Sequence, residues 1–241
     1  MNIIIIQAHI GSTRLPGKVM KELCNKKILL HDYNRCKMVR NIDKVIIATS
    51  KNSENDVIEE FCTNNDIECF RGAENNVLDR YYECAKIYNP EYIVRVTSDC
   101  PLLEPKLIEY WLENAVRDKV EFVEEEKDIF TGFGVDLFSF SALKKMYDRA
   151  TTDKQKEHVV GYYYENKGEF FSKKYPLPTE LNYLYRDYRL TLDTQEDFEL
   201  INKLYNKFYK EGFVDLKQVI EYIDNDKKIL KINSRIRQKK Y

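Results

Sequence analysis

Eight consecutive residues near the amino terminus, Gly11-Ser12-Thr13-Arg14-Leu15-Pro16-Gly17-Lys18, combine two glycines, two hydroxyls and two cations. Glycine lets backbone N–H groups approach an anion closely, and Arg and Lys add charge-assisted hydrogen bonds, so the run suits a polyphosphate. It is not a Walker A loop, because its GxxxxGK spacing ends in Lys18-Val19 and lacks the Ser or Thr that would ligate magnesium. The plainer alternative is an ordinary βα turn with solvated cations. Its place directly after a first strand favours a ligand, since open α/β sheets collect ligands beyond the carboxyl ends of their strands.

Two acids stand in comparable places. Thr97-Ser98-Asp99-Cys100-Pro101-Leu102 follows the apolar run 92–96, and Arg189-Leu190-Thr191-Leu192-Asp193-Thr194 leads from a second run into a helix start. If the two runs are neighbouring strands, Asp99 and Asp193 converge, and a carboxylate pair with substrate phosphates is a usual way to hold Mg²⁺. The bland alternative is that Asp193 merely caps the next helix, a task for which Thr194 is already available.

Short β-rich runs alternate with helical periodicity through the first half: strands at 3–7, 44–48, 67–70 and 92–96, helices at 28–39, 56–64 and 77–88. That alternation demands a parallel sheet with helical crossovers. Ser53 with Asp56, and Thr194 with Asp197, have capping-box spacing, and Pro105 opens a helix to about Arg117. The second half is less regular, with strands expected at 135–138 and 188–192 and helices at 142–150, at 155–165 and from Gln195.

With 241 residues, 43% hydrophobic and 33% charged, and only 8 Gly and 6 Pro, the chain can bury a real core and is neither disordered nor collagen-like. Lys and Arg number 39 against 40 Asp and Glu, so no global field recruits nucleic acid or an anionic membrane, and neither partner is expected. The opening apolar run, 3–6, is too short for a signal peptide or a span, which points to the cytoplasm. Cys24, Cys36, Cys62, Cys69, Cys84 and Cys100 form no CxxC pair and read as reduced, packed thiols.

No linker rich in Gly, Pro or Ser appears. The organisation expected is one domain with an inserted or appended lobe over 1–226, in halves 1–117 and 118–226, then a basic tail at 227–241. Residues 121–128 hold five acids and one lysine and read as a solvated loop or edge. The tail carries Lys227, Lys228, Lys231, Arg235, Arg237, Lys239 and Lys240 with no acid among them, and is either mobile or laid over the active site or a partner subunit.

The opening Gln7-Ala8-His9-Ile10-Gly11-Ser12-Thr13-Arg14-Leu15-Pro16-Gly17-Lys18 resembles the signature of the cytidylyltransferases that make CMP-activated sugars, in particular the SpsF-like spore-coat polysaccharide branch. The resemblance continues through Val77-Leu78-Asp79-Arg80-Tyr81-Tyr82, the block around Asp99, Glu157-His158-Val159, and 189–198, and so spans most of the chain. It implies an α/β fold of the nucleotide-diphospho-sugar transferase type, a three-layer α/β/α sandwich on a mostly parallel mixed sheet. It also implies CTP above the strand ends, a small sugar or phosphorylated acceptor, a homodimer and a CMP-linked precursor for surface polysaccharide.

Residue by residue, the resemblance puts Arg14, Lys18, Asp99 and Asp193 in catalysis, with Asp99 and Asp193 on Mg²⁺. It puts Gln7, Ala8, His9, Gly11, Ser12, Thr13, Asp79, Arg80 and Ser98 on the nucleotide, and Glu157, His158 and Arg189 on the acceptor. A surface histidine at a helix start remains an open alternative for His158. One departure matters: the family usually has arginine where this chain has His9, and a neutral imidazole supplies neither the fixed charge nor the planar fork of a guanidinium. The rival readings are a nucleotide-sugar glycosyltransferase, disfavoured because Ser98-Asp99 stands where an Asp-x-Asp motif would be expected, and an inactive nucleotide-binding paralogue, for which His9 is the hint.

Overall fold

The computed structural model describes residues 1–124 and 129–238. Strand β1 (Asn2–Gln7) contains four isoleucines in a row, all fully buried, as a parallel strand covered on both faces requires. A two-residue-per-strand hairpin, β2 (Glu22–Leu23) with β3 (Lys26–Lys27), follows. The sheet continues with β4 (Lys44–Ser50), β5 (Cys69–Gly72), β6 (Tyr92–Thr97), β7 (Phe122–Glu124), β8 (Val135–Ser139) and β9 (Ser172–Lys174). Seven strands pair in the order β5-β4-β1-β6-β8-β7-β9. β8 runs antiparallel to both of its neighbours, and the other pairings are parallel.

Successive residues of the central strands point to opposite faces, and the buried side chains divide accordingly. Ile4, Ile6, Val45, Ile47, Val94 and Val96 belong to one apolar cluster, and Ile3, Ile5, Ile46, Ala48 and Ile93 to the other. The first is covered by α1 (Ile28–Lys37), α2 (Asp56–Asn64) and α4 (Pro105–Asp118), and by α8 (Gln195–Phe208) and α9 (Leu216–Asn225). The second is covered by α3 (Val77–Tyr88), α5 (Phe140–Arg149) and α7 (Gly161–Glu165), with α6 (Asp153–Glu157) against α3. This is the expected three-layer α/β/α sandwich. A small ribbon, β10 (Tyr209–Lys210) with β11 (Phe213–Val214), links α8 to α9. The six cysteines are free thiols, and no helix among the described residues is long and apolar enough to cross a membrane.

Several expectations need correction. Within the acidic run, Phe122 and Val123 are buried and form β7 against β8, because two apolar side chains suffice once a neighbour supplies the ladder; residues 125–128 lie outside the described residues. Segment 188–192 is not a strand of the sheet: its backbone makes one isolated bridge, Arg189 to Thr131, and scattered hydrogen bonds in place of a ladder. The helix expected at 155–165 breaks at His158, leaving α6 and α7. Ser53 does not cap α2: it lies in a 3-10 turn that Asn52 caps, accepting from the Glu54 N–H. The edge strand β9 and the helix α9 had no counterpart in the sequence reading.

Candidate active site

The loop after β1 is held at both ends. The Ala8 N–H prolongs the ladder to the Ala48 carbonyl, and the Ile10 N–H donates to Asn55 Oδ1 at 2.9 Å, while fully buried Asn55 donates in turn to Ser50 Oγ at 2.9 Å. At the far end Leu15 is buried, and Gly17 takes a left-handed conformation (φ 62°) that turns the chain into the 3-10 helix Lys18–Met20. The intervening N–H groups of Gly11, Thr13 and Arg14 meet no acceptor among the described residues. That is the arrangement a phosphate requires.

Asp99 follows β6, whose Thr97 is in register with Gln7, and the Ser98 N–H donates to the Gln7 carbonyl at 3.2 Å. Asp193 arrives on an extended segment that crosses beside residues 131–133. The passage is close enough that a Cβ on Gly132 (φ +126°) would lie 2.5 Å from the Leu190 carbonyl carbon. The Leu192 N–H and the Thr191 hydroxyl both donate to the Asp99 carbonyl, at 2.9 and 3.2 Å, so the two aspartates are fastened together through the backbone.

Their side chains then share one cation. Lys18 Nζ lies 2.9 Å from Asp99 Oδ2 and 3.2 Å from Asp193 Oδ1, and also donates to the Leu192 carbonyl at 2.8 Å. Arg14 reaches Asp193 Oδ1 at 3.1 Å, and Arg189 reaches Asp193 Oδ2 at 2.9 Å. Behind them Asp197, fully buried, accepts from Arg189 Nε (2.9 Å) and NH2 (2.8 Å), from the N–H groups of Asp193 and Thr194 (3.1 Å each), and from Asn233 Nδ2 (2.9 Å). The Thr194–Asp197 capping box is therefore present, but Asp197 is also the anchor of the arginine that holds Asp193.

Burial penalises the Lys18 ammonium, yet Asp99 and Asp193 overcome that penalty and raise its pKa above the ordinary value. Burial likewise pushes Asp99 up, while Lys18, with bonds from Thr97 and Cys100, more than offsets it and leaves the carboxyl below its usual range. Two carboxylates converging on one cation present hard oxygen donors, the donor type that Mg²⁺ takes together with water and phosphate. Among the described residues no group of three or more His, Cys, Asp or Glu would hold a metal by protein ligands alone, so phosphate oxygens must complete any such site.

The remaining expected residues divide. Arg80 packs against Gly72 at the end of β5, and burial, Lys18 and Arg80 lower the His9 pKa against the opposing pull of Glu74 and Asp99. Arg80 is 3% exposed and its Nε has no partner among the described residues. Gln7 receives a bond from Arg95, which also pairs with Asp136 at 2.6 Å. Asp79 turns to the other side of α3, accepting from Tyr147 at 3.3 Å. Glu157 (exposed) and His158 end α6 against α3, next to an open cavity of about 310 Å³ lined by Asn76, Leu78, Tyr147, Asp148, Ala150 and Lys156. Neither joins the Lys18 cluster. Arg189, expected at the acceptor, has its guanidinium taken up by Asp193, Asp197 and Gln238. Sequence reasoning assigned no role at the site to Asn55, Asp197 beyond its cap, or Asn233; only the cap spacing at Asp197 was a signal.

Residues 3–229 match the family model described as cytidylyltransferase. An uncharacterized protein of Methanocaldococcus jannaschii is 39% identical over 98% of this chain and 96% of its own length. The spore coat polysaccharide biosynthesis protein SpsF of Bacillus subtilis is 30% identical over 93% of this chain and 94% of its own. A cytidylyltransferase structure from Leptospira borgpetersenii superposes with a TM-score of 0.86 at 30% identity, covering 100% of this chain and 98% of that one.

Proposed function

The chain belongs to the cytidylyltransferase family and is a nucleotidyltransferase, and on that premise we propose that it joins CTP to a small sugar or phosphorylated acceptor with Mg²⁺, releasing pyrophosphate. An acceptor oxygen attacks the α-phosphorus in line, the new P–O bond forms as the bond to the β-phosphate oxygen breaks, and pyrophosphate leaves with that electron pair. If the acceptor oxygen is a hydroxyl, its proton passes to solvent; if it is an ionised phosphate or carboxylate, none is transferred. Catalysis of this kind is positioning and charge neutralisation.

The observation that carries the reading is the single ammonium, supplied by the last residue of the glycine loop, that Asp99 and Asp193 share at 2.9 and 3.2 Å. The loop would cradle the triphosphate, and Arg14 and Lys18 would follow the charge onto the departing pyrophosphate. Asp99 and Asp193 would hold Mg²⁺, which when bound would neutralise phosphate oxygens and acidify an acceptor hydroxyl. Arg80, a buried guanidinium whose Nε has no partner among the described residues, would help fix cytosine or ribose, with His9 nearby. The acceptor would enter from the α3–α6 side, where Glu157 and His158 stand. As the name of the B. subtilis relative suggests, the product would feed surface polysaccharide.

The test is pyrophosphate release from CTP with Mg²⁺ and a panel of acidic sugars and phosphorylated acceptors, with the product weighed by mass spectrometry. Pyrophosphate equal in amount to a CMP-linked product is expected. Transfer of a sugar without pyrophosphate would instead identify a glycosyltransferase.

A further inference from the structure

The carboxy-terminal segment packs onto the site from behind. After α9, residues Lys227–Ile232 form a 3-10 turn whose Ile229, Leu230 and Ile232 pack against the main core beside α8 and α9. The chain then delivers Asn233, a polar side chain only 3% exposed, into the interior. Its Nδ2 donates to Asp197 Oδ1 at 2.9 Å and to the Arg189 carbonyl at 3.1 Å. Five residues on, Gln238 Oε1 accepts from Arg189 NH1. Both side chains thus grip the pair that aims Asp193.

We infer that Asn233 is a positioning residue for the divalent cation: acting through Asp197 and Arg189, it fixes the Asp193 carboxylate in the pose in which it meets Asp99. Arg189 donates to Asp193 through the same NH2 that it gives to Asp197, so any rotation of Asp197 is transmitted to Asp193. Asp197 Oδ1 has two donors, Arg189 Nε and Asn233 Nδ2. Without the amide, Oδ1 keeps only the arginine, and the buried carboxylate can follow the arginine instead of directing it. Partners behind a metal ligand set its orientation and hence its affinity. The inference rests on the reading of Asp99 and Asp193 as the cation's ligands.

The experiment measures, by calorimetry on the full chain, CTP binding as a function of Mn²⁺, together with kcat and KM, for wild type, Asn233→Ala, Asn233→Asp and the exposed Lys231→Ala. Asn233→Ala is expected to raise the half-saturating Mn²⁺ about tenfold and to lower kcat by a similar factor, with metal-free CTP binding within about twofold of wild type and Lys231→Ala unchanged. Asn233→Asp keeps the shape but replaces a donor with a second carboxylate against Asp197, so it should be at least as impaired; a space-filling role would leave it near wild type and overturn the inference. Gln238→Ala, at an exposed position where folding is not at stake, should shift the Mn²⁺ requirement in the same direction by about two- to threefold. Unaltered Mn²⁺ dependence in Asn233→Ala, with a wild type that binds Mn²⁺ and CTP, overturns this inference alone. A wild type that binds no CTP in the presence of Mn²⁺ overturns the parent reading.

Discussion

The strand-end cluster and the α3–α6 face stand in contrast. Around Asp193, three cations and three carboxylates interlock within hydrogen-bond distance, Lys18 is 6% exposed, and Asp197 accepts five bonds. On the α3–α6 face Asp79 has one long bond from Tyr147, Glu157 is exposed, and the cavity lined by Tyr147 and Lys156 is open. Charge that must meet a developing transition state is fixed beforehand, because reorganising it during reaction would add to the barrier. The α3–α6 face, the acceptor side in the proposed function, is looser and can be altered without disturbing the fold.

The contrast breaks most visibly if Asp99 is neutralised. Asp99→Asn is expected to lower kcat/KM by about 10³-fold while leaving the fold intact, as steady-state pyrophosphate release and circular dichroism would show; a loss under tenfold would move the chemistry elsewhere. Lys18→Met comes next, with about a 10²-fold loss of kcat. Because it strands the half-buried Asp99, whose cation partner is Lys18, beside Asp193, it should also cost about 3 kcal/mol of stability in denaturant titration. On the loose face, Glu157→Gln and His158→Ala should raise the acceptor KM about three- to tenfold and leave the CTP KM unchanged. A larger effect on CTP would erase the distinction between the two regions.

The smallest effect sharpens the comparison from its other side. Asp32, on α1 near the paired cluster, is fully buried with both carboxylate oxygens unpartnered among the described residues. Burial first, and then the charge of Asp99, push its pKa well above the ordinary 3.8, against the pull of Arg35 and Lys18. Since the folded value is raised, no penalty exists below the unfolded pKa, and stability is lost as pH rises above it toward the folded value. Asp32→Asn removes that loss. It should gain about 1 kcal/mol at pH 8, or roughly 2–4 °C in Tm, and nothing at pH 4; equal gains at both pH values would mean that ionisation is not involved.

The first half of the fold was legible because β1, β4 and β6 are buried on both faces and each helix shows its own period: α2 and α3 begin and end where their patterns do, whereas the half-buried edge strand β5 forms two residues beyond the expected 67–70. The second half was not, because β7 and β9 are three residues long and depend on their neighbours, β7 on β8 and β9 on β7, and the helix breaks at His158 where α6 meets α3. The convergence of Asp99 and Asp193 could be anticipated from strand ends, although the route differs: an extended crossing over Gly132 delivers Asp193 in place of a strand. Asn233 was not legible, since a lone asparagine among tail lysines gives no sign that it is buried on a carboxylate 36 residues away.

The most direct measurement is anomalous diffraction from crystals grown with Mn²⁺ and CTP. The expected result is a peak touching carboxylate oxygens of both Asp99 and Asp193 at about 2.1–2.3 Å, with Lys18 turned onto the β- or γ-phosphate. A metal bound elsewhere, or CTP in place with Lys18 still seated between the two aspartates, would contradict the assignment.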